Sequence, residues 1–332
     1  MTISKESKES KESKESKESK ESKESKESKE SKESKESRRG GRVLVVYKKS
    51  PYQLYVKERG DAAYQRAIAQ DEATARRLIE GHERQQRAFD AVEQTLESRG
   101  VTFISRWRGK TRSTGGYSLV IAVGGDGTLL ETAQYVGEAT PLLGINSDPT
   151  LSVGKLCAAT ASELGELLDR IESGALRPTP HTRLRVHIDG EQVLGSCLND
   201  VLFAHKSPAD MSRFAMSVID DEQLLQVAEV RSSGIWVSTA TGSTAAIRSA
   251  GGKTMASRSR RLQFLVREPY SPPEQPPAQR REGFLTPGQS LQLLSRMDRG
   301  FVWGDGPHRR APVRYGQTVS IDADPCPLLI YR

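Results

Sequence analysis

Ser118-Leu119-Val120-Ile121-Ala122-Val123-Gly124-Gly125-Asp126-Gly127-Thr128 is the stretch that decides the fold. Its first six residues form a nearly continuous apolar run of strand formers, the pattern of a strand buried on both faces. Beyond it, Leu129, Leu130, Ala133 and Val136 repeat at helical spacing. Gly124, Gly125 and Gly127 therefore lie where a buried strand stops and a helix starts. Helix N-termini present unpaired N–H groups and partial positive charge, so they bind phosphates. Glycines let the backbone approach a ligand closely. Asp126 stands out, because a carboxylate repels phosphate. It makes sense as a Mg²⁺ contact or as an acceptor of the proton from an attacking hydroxyl. The bland alternative is a strand–turn–helix corner with Asp126 as a helix cap.

Upstream, Val43–Tyr47 reads as a first buried strand, followed by an arginine-rich helical stretch from about Asp61 to Ser98. Phe89, Val92 and Leu96 share one helical face. Gly100 suits a helix end. Further strands are expected at Val101–Ile104 and Pro141–Ile145, the latter ending at Asn146. Thr160 with Glu163 predicts a capping box for a helix to about Glu172. Strands alternating with helices predict a parallel sheet with ligands at the C-terminal strand ends.

After Pro178 the pattern changes. Arg183–Ile188 alternates strictly, and Asp189-Gly190 signals a hairpin. Short strands are expected at Cys197–Ala204, Arg213–Ile219, Leu224–Val230, Ile235–Ser238, Leu262–Val266, Ser290–Leu294, Thr318–Ile321 and Leu328–Tyr331, with a Pro-rich loop from Pro269 to Pro277. The fold class is α/β plus β. A Rossmann-like α/β domain (41–176) carries the glycine turn, and a β-rich sandwich domain follows (177–332), whose last strands either stay in it or return to the first. Residues 1–40 hold a Ser-Lys-Glu repeat without one apolar side chain between Ser4 and Ser37. Such a segment has nothing to bury and is expected to be disordered.

The 332 residues suffice for two domains of roughly 100–200 residues each. A formal charge of +7 fits anionic ligands, but no basic run with interleaved aromatics points to nucleic acid. Cys157, Cys197 and Cys326 lack zinc spacing and do not suggest a disulfide framework, so a reducing cytoplasm is expected. No apolar run reaches the roughly 20 residues of a membrane span, and the N-terminus lacks the apolar core of a secretory signal. His181, His187 and His205 show no metal spacing and read as strand or surface residues. Gly109-Lys110-Thr111 lacks the upstream glycine of a P-loop, so that match fails.

A second site lies at Thr239-Ala240-Thr241-Gly242-Ser243-Thr244-Ala245-Ala246, followed by Ser249-Ala250-Gly251-Gly252. Small residues and hydroxyls there give a nucleotide backbone access and hydrogen-bond partners. Asn199-Asp200 pairs an amide with a carboxylate, suited to a ribose diol or a base edge. By itself it would read as a turn.

With these stretches in hand, the sequence resembles the NAD kinase family. Gly124-Gly125-Asp126-Gly127-Thr128, Asn199-Asp200 and Thr241-Gly242-Ser243-Thr244-Ala245 look like its three motifs. Gly144–Thr150, Leu156–Thr160, Ser207–Phe214, Arg231–Gly234 and Leu262–Pro269 are similar to the plant-type NADH kinase subgroup. The resemblance spans nearly everything from Arg42 onward. It implies a kinase that phosphorylates the 2′-hydroxyl of the adenosine ribose in NADH or NAD⁺, with ATP and Mg²⁺ as donor. Asp126 would be the base or electrostatic anchor and a possible Mg²⁺ contact. Gly124, Gly125, Gly127, Thr128, Asn146, Asn199, Asp200, Ser233, Thr241, Gly242, Ser243, Thr244 and Ala245 would bind nucleotides. A homodimer or homotetramer is implied, with sites near subunit contacts.

There are departures. Many bacterial members have Asp where this chain has Ser233, Tyr where it has Ala246, and Pro where it has Ala240. One anion fewer near the nicotinamide weakens the Coulomb preference for cationic NAD⁺ over neutral NADH. The stretch between Thr150 and Gly154 is shorter than in the plant-type proteins. Two other functions stay open. One is a lipid kinase of the diacylglycerol or sphingosine type, which shares a Gly-Gly-Asp-Gly-Thr-like loop. The other is a catalytically silent NAD(H)-binding sensor, which the altered Ser233 and Ala246 would suit.

Overall fold

The computed structural model describes residues 41–220, 223–272 and 281–332. The Ser-Lys-Glu tail and residues 273–277 of the Pro-rich loop lie outside the described residues. The first half opens with β1 (Val43–Tyr47), a π-helical turn at Tyr52–Glu58, α1 (Ala62–Gln70) and α2 (Glu72–Ser98). The helical stretch read from Asp61 to Ser98 breaks at Asp71. There an extended backbone lets the side chain cap α2 through Ala73 N–H, as Asp61 caps α1. Then come β2 (Phe103–Trp107), β3 (Leu119–Gly124), α3 (Asp126–Ala133), β4 (Leu142–Asn146), β5 (Ala159–Thr160), α4 (Leu164–Glu172) and β6 (Thr179–His181). The capping box of Thr160 and Glu163 is present.

The second half contains β7 (Leu184–Ile188), β8 (Glu191–Cys197), β9 (Asp200–His205), β10 (Ser212–Asp220), β11 (Gln223–Ser232), β12 (Ile235–Ser238) and the short α5 (Ala246–Ser249). It continues with β13 (Leu262–Val266), β14 (Glu282–Leu285), β15 (Ser290–Ser295), β16 (Gly300–Gly304), β17 (Arg310–Val313), β18 (Thr318–Ala323) and β19 (Leu328–Tyr331). Asp189 and Gly190 both take positive φ, as the tight β7–β8 hairpin requires.

The first sheet has the order β2-β1-β3-β4-β19-β6, with β5 beside β4. All its pairs are parallel except β19 with β6. The final strand does return to the α/β half, and it brings β6 with it. Alternate residues of β1 and β3 face opposite layers. Val43, Val45, Ile121 and Val123 pack with Val92 and Leu96 of α2 and with Leu164 and Leu168 of α4. Leu44, Val46, Val120 and Ala122 pack with Leu129 and Ala133 of α3. Fully burying each Leu or Ile contributes about 1.5–3 kcal/mol, which is why this strand pair fixes the fold. Gly144 lets α3 lie close to the sheet, because a Cβ there would stand 2.7 Å from Leu129 Cδ1.

The β-rich half is a sandwich of two antiparallel sheets. Their orders are β11-β10-β15-β18-β7-β8 and β14-β13-β12-β9-β16-β17. Val186, Met216, Leu293 and Ile321 from one sheet meet Phe203, Val237, Phe264 and Val302 from the other. The strand read as Cys197–Ala204 is two strands, β8 and β9. It breaks at Leu198-Asn199 because those N–H groups bond the Asp305 side chain instead of a neighbouring strand. Val43–Arg332 forms one compact unit. Leu198 ties its halves together by packing into the same apolar cluster as Leu129 of α3.

Candidate active site

Asp126 is the first residue of α3, after Gly125 at the N-cap. Its Oδ2 accepts the Lys155 N–H at 3.0 Å and its Oδ1 accepts the Leu156 N–H at 2.7 Å. The carboxylate thus holds the 147–157 loop against the glycine turn. Asn146 grips the same loop. Its Oδ1 accepts the Asp148 N–H at 3.2 Å and its Nδ2 donates to the Ser152 carbonyl at 3.0 Å.

The three glycines differ in what surrounds their Cα atoms. A Cβ on Gly124 would stand 2.2 Å from Thr128 Oγ1, and one on Gly125 would stand 2.5 Å from Ser152 Oγ. Both spaces are filled by the protein itself. Gly127 meets nothing within 4 Å, so it remains the glycine open to a ligand.

Two cations lie near this turn. Arg108 pairs with Glu131 at 3.1 Å, and its Nη1 is 3.5 Å from Thr128 Oγ1. Burial lowers the pKa of the Lys48 ammonium, Asp148 pulls it back up, and Arg108 lowers it further. The Cys157 thiol is pushed up to about 12, by burial first and by the charge of Asp126 second. It stays protonated and is no nucleophile.

The second cluster is built on Asp305, which the sequence reading passed over. Its buried carboxylate accepts N–H groups from Leu198 and Asn199, each at 2.7 Å, and from Asp200 at 3.3 Å. Asp305 adopts φ 49°, and Gly306 follows at φ 105°. The Gly304-Asp305-Gly306 triplet was the available signal, since a glycine-flanked Asp favours such a left-handed turn. Burial, and then Asp305, push the Asp200 carboxyl up to about 7. The Asn199 side-chain oxygen is buried and has no hydrogen-bond partner among the described residues. A buried acceptor left unpaired costs about 1–3 kcal/mol, so this atom is suited to a donor group on a ligand.

The Thr239–Ala246 segment packs on that turn. Thr239 Oγ1 donates to the Leu198 carbonyl at 2.6 Å, and Thr239 N–H donates to the Asn199 carbonyl at 3.0 Å. Gly242 is required here, because a Cβ would stand 2.0 Å from the Asn199 carbonyl oxygen. Ser243 is fully buried. Its hydroxyl donates to the Ala240 carbonyl at 2.7 Å and accepts the Met255 N–H at 3.0 Å, so it braces the loop. Thr241, Thr244 and Ala245 are half-buried. The Thr241 hydroxyl lies 3.0 Å from His181 Nδ1. His181 is itself buried, a residue of strand β6 as one of the two expected settings had it. Ser233 is not brought into this cluster. It sits before Ile235, at the other end of β12, roughly 15 Å from Ser238 by strand rise.

Comparison with known proteins bears on this arrangement. The family model of the ATP-NAD kinase N-terminal domain matches residues 1–175. A probable NADH kinase of Oryza sativa subsp. japonica is 36% identical over 222 residues, covering 62% of this chain and 68% of that protein. The chain belongs to the NAD kinase family. An NADH kinase of Arabidopsis thaliana is also 36% identical, over 62% of this chain and 70% of that protein. The crystal structure of an NAD kinase from Archaeoglobus fulgidus in complex with ATP shares the fold, with a TM-score of 0.61 over 88% of this chain and 93% of that one at 19% identity. Membership assigns the glycine turn to an NAD kinase and not to the lipid kinases with a similar loop. No helix among the described residues is long and apolar enough to cross a membrane.

Proposed function

We propose that the chain transfers the γ-phosphate of ATP to the 2′-hydroxyl of the adenosine ribose of NADH or NAD⁺. The observation that carries this reading is the unpartnered Asn199 oxygen beside the Asp200 carboxyl on one strand end, held there by Asp305. An amide oxygen accepts from a base amino group, and an ionised carboxylate accepts from ribose hydroxyls. Thr241 and Thr244 add hydroxyls beside them.

Asp126 is positioned to take the proton of the 2′-hydroxyl or to stabilise it electrostatically. Its two backbone hydrogen bonds fix its orientation. The first N–H groups of α3 and open Gly127 receive phosphate oxygens, and Arg108 and Lys48 offset the negative charge. Phosphoryl transfer depends on such positioning and charge and needs no covalent nucleophile. No group of three His, Cys, Asp or Glu among the described residues forms a metal cage. The residues fit Mg²⁺ carried by the donor phosphates with Asp126 as at most one protein contact. There it would neutralise phosphate charge.

The preference is for NADH at least as much as NAD⁺. Ser233 stands where many bacterial members carry Asp, and the Arg267 guanidinium lies 3.5 Å from its carbonyl. In the homodimer or homotetramer we propose, this end of β12 completes a neighbouring copy's site. The proposed compartment is the reducing cytoplasm. The test is phosphate transfer from ATP with Mg²⁺ to NADH and to NAD⁺, read as NADPH or NADP⁺. Binding of NADH without either product would favour the silent sensor.

A further inference from the structure

A cavity of about 590 Å³ lies between the end of β1, the loop after β4, and the helices α1 and α2. None of Asn199, Asp200, Thr241 or Ser243 lines it. We propose that it seats the base and ribose of the phosphoryl donor, a purine nucleoside triphosphate; this rests on the kinase reading and locates its second substrate.

β1 and β4 flank β3 in the sheet, so the cavity opens beside the C-terminal end of β3, where the glycine turn begins. Ser152 lines the cavity and also fills the space a Cβ on Gly125 would take. Lys48 lines it too, and the Lys48 N–H donates to the Val123 carbonyl at 3.4 Å, one residue before the turn. A nucleoside in the cavity can therefore extend its phosphates to α3. The volume falls within the usual ligand range of about 300–1,000 Å³.

Pro51, Ala63, Tyr64, Ala67 and Leu78 give an apolar wall for a flat base. The Tyr64 ring is fixed by stacking on Tyr55 at 4.5 Å and 9°. Lys48 and Arg77 supply positive charge, whereas Asp148 is already neutralised. Arg84 lies 3.0 Å from its carboxylate, and Thr150 Oγ1 donates to it at 2.6 Å. An apolar wall with surplus cations suits a nucleotide better than a neutral apolar ligand.

A transfer between two nucleotides needs two places that meet at Asp126. The Asn199–Asp200 cluster provides one, and this cavity provides the other from elements outside that cluster.

The test is photolabelling of the full chain with an azido derivative of ATP in the presence of Mg²⁺, mapped by mass spectrometry. Label within residues 50–81 or 148–152, blocked by ATP and not by NADH, is the expected result. Label on residues 199–252, or protection by NADH instead of ATP, overturns the assignment. A filling variant gives a second readout. Ala67→Trp is expected to raise KM for ATP about ten-fold or more while KM for NADH and inhibition by inorganic tripolyphosphate change by less than about two-fold. A rise in both KM values, or in neither, contradicts it. NADPH formation by the unaltered enzyme separates the two claims. An active enzyme labelled elsewhere loses only the cavity assignment, whereas an inert one loses the kinase reading as well.

Discussion

Asp305 holds Asp200 twice, once backbone to backbone and once through its side chain. The Asp305 N–H donates to the Asp200 carbonyl at 3.0 Å, and the Asp200 N–H donates to Asp305 Oδ1 at 3.3 Å. The residue that shapes the proposed dinucleotide site thus lies over a hundred positions away in sequence, beyond the end of β16.

Asp305→Asn removes the charge and one acceptor from this clasp. KM for NADH is expected to rise about ten-fold or more, with KM for ATP changed by less than about two-fold. The variant also shifts the pH profile. Asp200, raised to about 7, would accept from ribose hydroxyls in the proposed site when ionised. In the wild type, kcat/KM for NADH therefore climbs with pH through neutrality. Losing the Asp305 charge moves that rise to lower pH. A profile unchanged by the substitution would count against the clasp.

His181 braces Thr241 while neutral. Burial, with Arg332 second, depresses its pKa from 6.5 to about 4. An unfolded chain takes up this proton near 6.5, whereas the folded chain refuses it until about 4. The stability this neutral histidine contributes is complete above 6.5 and is lost as pH falls through that window. Thermal melts at pH 5 and pH 7 should show a larger acid loss for the wild type than for His181→Gln. The variant's kcat/KM is expected to fall about ten-fold, because Thr241 loses its partner.

Two glycines separate folding from binding. A methyl on Gly242 collides with the Asn199 backbone, which cannot give way as a side-chain tip would. Gly242→Ala is expected to cost about 1–3 kcal/mol or more in a denaturation experiment. Gly127→Ala meets open space and should melt within about 1 kcal/mol of the wild type. Its loss should fall on ATP-dependent turnover instead. Equal stability losses for the two would contradict the assignment of their roles.

Ser233→Asp restores a carboxylate near Arg267. The ratio of kcat/KM for NAD⁺ to that for NADH is expected to rise by up to about five-fold, the size of an exposed charge contact. No change in the ratio would mean that Ser233 lies away from the nicotinamide.

Much of this was legible in the sequence, because local patterns carried it. Ser118–Val123 announced a strand buried on both faces, and Thr160 with Glu163 announced a cap. Asp189-Gly190 announced a hairpin. Long-range placement was not legible. Nothing near Asp305 in sequence says that it accepts N–H groups from Leu198 and Asn199. His181 alternates like any strand residue, and its contact with Thr241 runs from β6 to the turn after β12, sixty residues on. The glycines of the turn look alike in sequence. Only the positions of Thr128 and Ser152 show which two are filled from within.

The most direct test of the central claim compares the wild type with Asp126→Asn, in ATP, Mg²⁺ and NADH, with binding of NADH measured beside turnover. The account predicts NADPH from the wild type, a loss of about a hundred-fold or more in kcat for the variant, and little change in NADH affinity. Undiminished NADPH formation by Asp126→Asn, or none from a wild type that binds NADH, would contradict it.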